Sequence, residues 1–180
     1  MKKVCIFCGS RTGKPEESFK QMSKDIGKFL VQNQIGLVYG GASVGIMGQI
    51  ADTVLEGQGE VVGVIPRSMM VKELAHPQVQ DLKIVESMHE RKFLMYELSD
   101  AFLAVPGGIG TLDELFEIFT WKQLEYHDKP IGIYNFQGFY DSLIKHLNKL
   151  VETGFLTQEQ REFIHISSDF TQLMEKFCLK

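Results

Sequence analysis

The sequence predicts an α/β chain built on a mainly parallel sheet. Three observations carry that prediction. Short apolar runs of strand length recur along the chain, apolar residues at helical spacing lie between most of them, and glycine or serine follows three of the runs directly. With 180 residues, 44% of them hydrophobic and 23% charged, the chain is read as one domain over 1–180, able to fold without disulfide staples.

Taken in order, "KVCIFCG" at 3–9 reads as the first strand. Its Cys5 and Cys8 have C-x-x-C spacing, but residues three apart on a strand point to opposite faces, which argues against a redox or metal pair. Phe19, Met22, Ile26, Phe29 and Leu30 form the stripe of a first helix, and "GLVYGG" at 36–41 a second strand. Met47, Ile50, Ala51 and Val54 mark a second helix before the strands "EVVGVIP" at 60–66 and "DLKIVES" at 81–87. "SMHERKFLMYELSD" reads as a helix leading into "DAFLAVPGG" at 100–108, and a further helix follows Gly110. "KPIGIYN" at 129–135 is a strand, and Phe139, Leu143, Ile144, Leu147 and Leu150 suggest the next helical stripe. "FIHISSDF" suggests a last short strand before a helix over 170–177.

Composition narrows the function. A net charge of −4 leaves no footprint for nucleic acid or an acidic membrane surface. The apolar run after "MKK" is too short for a signal-peptide core, and no stretch approaches transmembrane length. Three cysteines form no disulfide framework, so a reducing cytoplasm is expected. The five histidines show no ligand spacing, so no metal is expected, and no G-x-S-x-G elbow offers a serine nucleophile.

In an open parallel sheet, ligands bind where connections leave the carboxyl ends of the strands. The glycine-bearing connections are Cys8-Gly9-Ser10, "YGGASVGIMG" with Gly40 and Gly41, and "PGGIGT" from Pro106 through Gly107 and Gly108 to Thr111. Neither longer loop matches the Walker pattern or the G-x-G-x-x-G fingerprint, so a mononucleotide or sugar phosphate fits better than NAD or ATP. Thr111-Leu112-Asp113-Glu114 matches a T-x-x-E capping box, with Thr111 as N-cap and Glu114 reaching back. The same placement sets the Glu114 carboxylate one turn from the expected phosphate site. Arg91 falls within the apolar stripe formed by Met88, Leu94, Met95 and Leu98, with Lys92 at its edge. A cation there needs a carboxylate or a ligand as partner, and Glu114 is a candidate.

"MHERK" at 88–92 followed by "PGGIGTLDE" at 106–114 resembles the Lonely Guy family of cytokinin-activating phosphoribohydrolases, and the likeness runs from "FCGS" through "VIPR" to "TWKQLEYHDKPIGIYNFQGFYDSL". The resemblance implies a compact Rossmann-like domain with a doubly wound, mainly parallel sheet and helices on both faces. It implies a homodimer that hydrolyses the N-glycosidic bond of nucleoside 5′-monophosphates, such as N6-modified adenosine monophosphates, without a cofactor. It places catalysis on Arg91 and Glu114, and nucleotide contacts on Glu73, Met88, Lys92, the loop of Gly108, Ile109, Gly110, Thr111, Leu112 and Asp113, and Thr120. Ala42 stands where the family usually has glycine, Ile109 where an aromatic is common and Asp113 where glutamate is usual. The family has also been labelled lysine decarboxylase, yet nothing in these residues suggests pyridoxal phosphate. Arg91 is expected to hold Glu114 ionised. A nucleotide carrier without hydrolysis and a broader nucleoside monophosphate nucleosidase are the alternatives, and Trp121, away from the main stripe of its helix, suggests a face covered by a second copy.

Overall fold

The computed structural model describes residues 2–70 and 75–178. Seven strands form one sheet: β1 (Lys3–Phe7), β2 (Gly36–Tyr39), β3 (Val61–Pro66), β4 (Asp81–Val85), β5 (Ala101–Ala104), β6 (Ile131–Tyr134) and β7 (Ile164–Ser167). Every pairing is parallel, in the order β4-β3-β2-β1-β5-β6-β7. The helices are α1 (Glu16–Gln32), α2 (Gly45–Glu56), α3 (Arg67–Met70), α4 (Met88–Glu97), α5 (Ile109–Gln123), α6 (Asp141–Glu152), α7 (Gln158–Glu162) and α8 (Phe170–Cys178).

The central strands are apolar at nearly every position because helices cover both sides of the sheet. Alternate side chains then serve separate cores. Val4, Ile6 and Cys8 pack with α1, α2 and α8, while Cys5 and Phe7 pack with α4, α5 and α6. The C-x-x-C cysteines therefore sit on opposite faces as free, buried thiols. Phe139 departs from the helical stripe expected of it. It precedes α6 and is 47% exposed, because Asn135 accepts the backbone N–H of Tyr140 and starts the helix only at Asp141.

Candidate active site

At β1 the winding of the sheet reverses. The connection after β1 leads to α1 on one face, and the connection after β5 leads to α5 on the other, so the two adjacent strand ends diverge and open a crevice. It encloses about 420 Å³ and is lined by Gly9, Ser10, Ile46, Pro106, Gly107 and Gly108, among others. Gly9 joins three loops, donating its N–H to the Pro106 carbonyl at 3.2 Å and accepting from Met47 at 3.3 Å. Both α2 and α5 start at this edge without a side-chain cap and without an acid in the first turn. Their leading N–H groups and positive dipole ends suit an anion. Gly107 has no room for a Cβ, which would meet the Thr111 hydroxyl, while Gly108 and Gly110 face open space.

The capping box expected at Thr111 does not form. α5 begins three residues earlier than that cap requires, with Gly108 in extended conformation as its N-cap, which leaves Thr111 inside the first turn. The Thr111 hydroxyl is buried and has no hydrogen-bond partner. Freed from capping, Glu114 projects from the second turn towards α4. A T-x-x-Q box does form further on, where Thr157 and Gln160 cap α7 reciprocally.

Arg91 lies over the carboxyl ends of β2 and β3 and is 7% exposed. Its Nε donates to the Val64 carbonyl and one Nη to the Gly40 carbonyl, both at 3.1 Å. The other Nη stands 3.6 Å from Glu114 Oε1. Gly40 therefore has a role that its loop alone did not reveal, since a Cβ there would strike the Arg91 guanidinium and crowd Met47 Sδ at 3.1 Å. Gly41 takes φ +76°, and its carbonyl accepts from His76 N–H at 2.9 Å.

Arg91 does not hold Glu114 at an ordinary carboxylate value, contrary to expectation. Burial pushes its carboxyl from the usual 4.5 up to about 7, and Arg91, which pulls the other way, does not offset it. The reason is geometric: at 3.6 Å, with two of its donors committed to backbone carbonyls, the guanidinium makes no short hydrogen bond to the carboxylate. The result is a carboxyl that exchanges its proton near neutrality.

Lys92 bridges α4 to α5, 3.1 Å from Asp113 and 3.2 Å from Glu117. Glu117, which the motif reading passed over, falls one turn beyond Glu114 on the same face. Leu112, Asp113 and Thr120 lie with Ile109, Phe116 and Trp121 along an outer groove of α5 of about 560 Å³. Met88, at the start of α4, is 42% exposed. Glu73 lies outside the described residues. The expected site residues thus divide between the crevice, the buried Arg91–Glu114 pair and the outer groove. Among the described residues no group of three or more His, Cys, Asp or Glu is placed to hold a metal ion.

Residues 47–177 match the protein family described as "Possible lysine decarboxylase". The cytokinin riboside 5′-monophosphate phosphoribohydrolase LOG3 of Arabidopsis thaliana is 43% identical over 97% of this chain and 81% of its own. LOG1 of the same plant is 44% identical over 97% and 82%. The probable cytokinin riboside 5′-monophosphate phosphoribohydrolase LOGL6 of Oryza sativa subsp. japonica is 43% identical over 97% and 70%. Among solved structures, the molybdenum cofactor carrier protein of Chlamydomonas reinhardtii superposes with a TM-score of 0.73 at 19% identity, covering 99% of both chains. The molybdenum cofactor binding protein of Rippkaea orientalis has a TM-score of 0.73 at 16% identity, covering 97% of this chain and 94% of its own. At those identities the likeness is one of fold.

Proposed function

The chain belongs to the family of cytokinin riboside 5′-monophosphate phosphoribohydrolases, and from that premise we propose that it hydrolyses the N-glycosidic bond of adenosine-type 5′-monophosphates, N6-modified ones among them, to free base and ribose 5-phosphate. The observation that carries the reading is the buried Arg91–Glu114 pair beside a helix whose uncapped N-terminus borders the crevice. Glu114 lies five residues into that helix, about 7 Å along its axis. That span suits a phosphate at the helix start and C1′ of its ribose at the carboxylate.

The 5′-phosphate is held by the leading N–H groups of α5 and by the Thr111 hydroxyl, which has no partner within the protein. Fixing the phosphate sets the distance of C1′ from Glu114. As the C1′–N bond breaks, its electron pair leaves with the base, which takes up a proton, and water supplies the oxygen that bonds to C1′. Ionised Glu114 accepts the proton of that water and faces the positive charge that develops on the ribose ring. Its proton affinity near neutrality suits such an exchange. Arg91, fixed by two carbonyls, is the cation that steadies the ionised carboxylate.

The test is a panel of nucleoside 5′-monophosphates and the matching nucleosides, with free base and ribose 5-phosphate measured. Release from the monophosphates and poor reaction of the nucleosides is expected. Equal rates with and without the phosphate would contradict the phosphate-anchored geometry, and binding without turnover would favour the carrier alternative.

A homodimer is part of the same proposal. Phe93, Tyr96, Trp121 and Tyr126 form a connected surface on α4, α5 and the turn after α5, and Phe93, Ile109, Leu124 and Tyr126 are between 55% and 82% exposed. Trp121 itself is half-buried, edge-on to Tyr96 at 5.3 Å, so intrachain packing accounts for it and the exposed residues around it carry the argument. Light scattering should give twice the 20.4 kDa chain mass, and Phe93→Glu should reduce it to one. A single-chain mass for the unaltered protein rules the dimer out.

A further inference from the structure

We propose that Glu117 is a positioning residue for Glu114: one of its oxygens anchors Lys92, and the other is buried on a wall that the two carboxylates share, so that Glu117 helps to set the protonation of the catalytic carboxylate. The inference rests on the functional reading above only where it concerns turnover.

The geometry separates Glu117 from an ordinary surface ion pair. Its Oε1 takes Lys92 at 3.2 Å, but its Oε2 is buried and has no hydrogen-bond partner. Glu114 and Glu117 line one narrow gap with Phe7, Lys92, Met95 and Ile118, and that gap has no room for a water molecule. The buried oxygen of that carboxylate has no donor of its own, so part of its charge is left to act on its neighbours. Residues three apart on a helix are neighbours, and Glu117 stands in that relation to Glu114. Together with Asp113 it also pairs the Lys92 ammonium, which offsets part of the pull of that cation on Glu114.

The charged and titratable groups around Glu114 are Arg91 and Lys92 from α4, Asp113 and Glu117 from α5, and the thiols of Cys5 in β1 and Cys8 just after it. Beneath the dominant effect of burial, Arg91 lowers its proton affinity, Asp113 raises it, Lys92 lowers it and Glu117 raises it. Asp113 precedes Glu117 in that order, yet its side chain is 57% exposed against 24% for Glu117. Water and salt screen Asp113, whereas the dry oxygen of Glu117 keeps its effect.

The experiment compares the pH dependence of kcat/KM on an adenosine-type monophosphate for the unaltered protein, Glu117→Gln and Asp113→Asn, at low and high salt. Glutamine keeps an oxygen for Lys92 and removes only the charge. Glu117→Gln should move the acid limb down at both salt concentrations, and Asp113→Asn should move it at low salt only. A Lys92–Glu117 contact that merely ties α4 to α5 would weaken folding and leave the limb in place. An unmoved limb, or one that moves at low salt alone, overturns the proposal. Folding supplies a readout that needs no turnover: the pH window in which Glu114→Gln alters stability should shift downward in the Glu117→Gln background. If the unaltered protein releases no base, the functional reading fails while this measurement still decides the role of Glu117, and an unshifted window sinks it.

Discussion

Replacing Glu114 by glutamine isolates the charge of a buried carboxyl while keeping its shape. In the folded protein its proton affinity rises from 4.5 to about 7, and at about 1.4 kcal/mol per pKa unit the ionised side chain opposes folding by about 3 kcal/mol relative to the protonated one. Because the folded value lies above the unfolded value, the linked stability is present in full below 4.5, falls as the pH rises through 4.5 to 7, and is absent above that window. Glu114→Gln is neutral throughout and lacks this loss. The stability of the variant minus that of the unaltered protein should therefore rise by about 3 kcal/mol between about pH 4 and about pH 9. Since the comparison is between two pH values, the common contributions of Arg91, Lys92 and the remaining carboxylates largely cancel. The assay is urea unfolding followed by the fluorescence of Trp121, the one tryptophan of the chain, at fixed protein concentration so that association does not enter. Parallel stability curves across the window would refute the reasoning, because they would mean that folding leaves the proton affinity of Glu114 at its solution value.

Three further outcomes follow from the same geometry. The kcat/KM profile should rise with pH through about 7, and Arg91→Met should move that limb upward while lowering turnover; a limb at ordinary carboxylate values would contradict the assignment. Gly40→Ala sets a methyl against the Arg91 guanidinium and Met47. It should destabilise by about 1–3 kcal/mol and lower turnover, measured by urea unfolding and base release, and unaltered turnover would mean that Arg91 has freedom the structure does not show. Thr111→Val removes a buried hydroxyl with no partner, so stability should hold within about 1 kcal/mol while KM for the nucleotide rises roughly tenfold at similar kcat. A fall in stability with unchanged KM would place the hydroxyl in the fold rather than in phosphate binding.

Much of this protein is legible along the chain because the determining interactions are short-range. Strand-length apolar runs, the helical stripes of α1 and α2, and glycines within three residues of the ends of β1, β2 and β5 each reflect backbone geometry within a few residues. The glycine and proline content of "PGGIGT" was enough to mark a strand-to-helix connection. Where α5 starts was not local: the T-x-x-E pattern offered a cap at Thr111, but packing of Pro106 and Gly107 against Gly9 sets the entry of the chain, and the helix begins at Ile109. Arg91 stood out as a cation in an apolar stripe, yet its main anchors are carbonyls 27 and 51 residues away. Those distances along the chain close only when β2, β3 and α4 come together. The proton affinity of Glu114 and the bare oxygen of Glu117 depend on exclusion of water, a property of packed surfaces from several elements at once. The sequence by itself marked Arg91, Glu114 and the glycine-bearing connections at the carboxyl edge of the sheet. Tertiary structure alone decided how they are charged and held, because desolvation and long-range hydrogen bonds do not exist until the chain has closed around them.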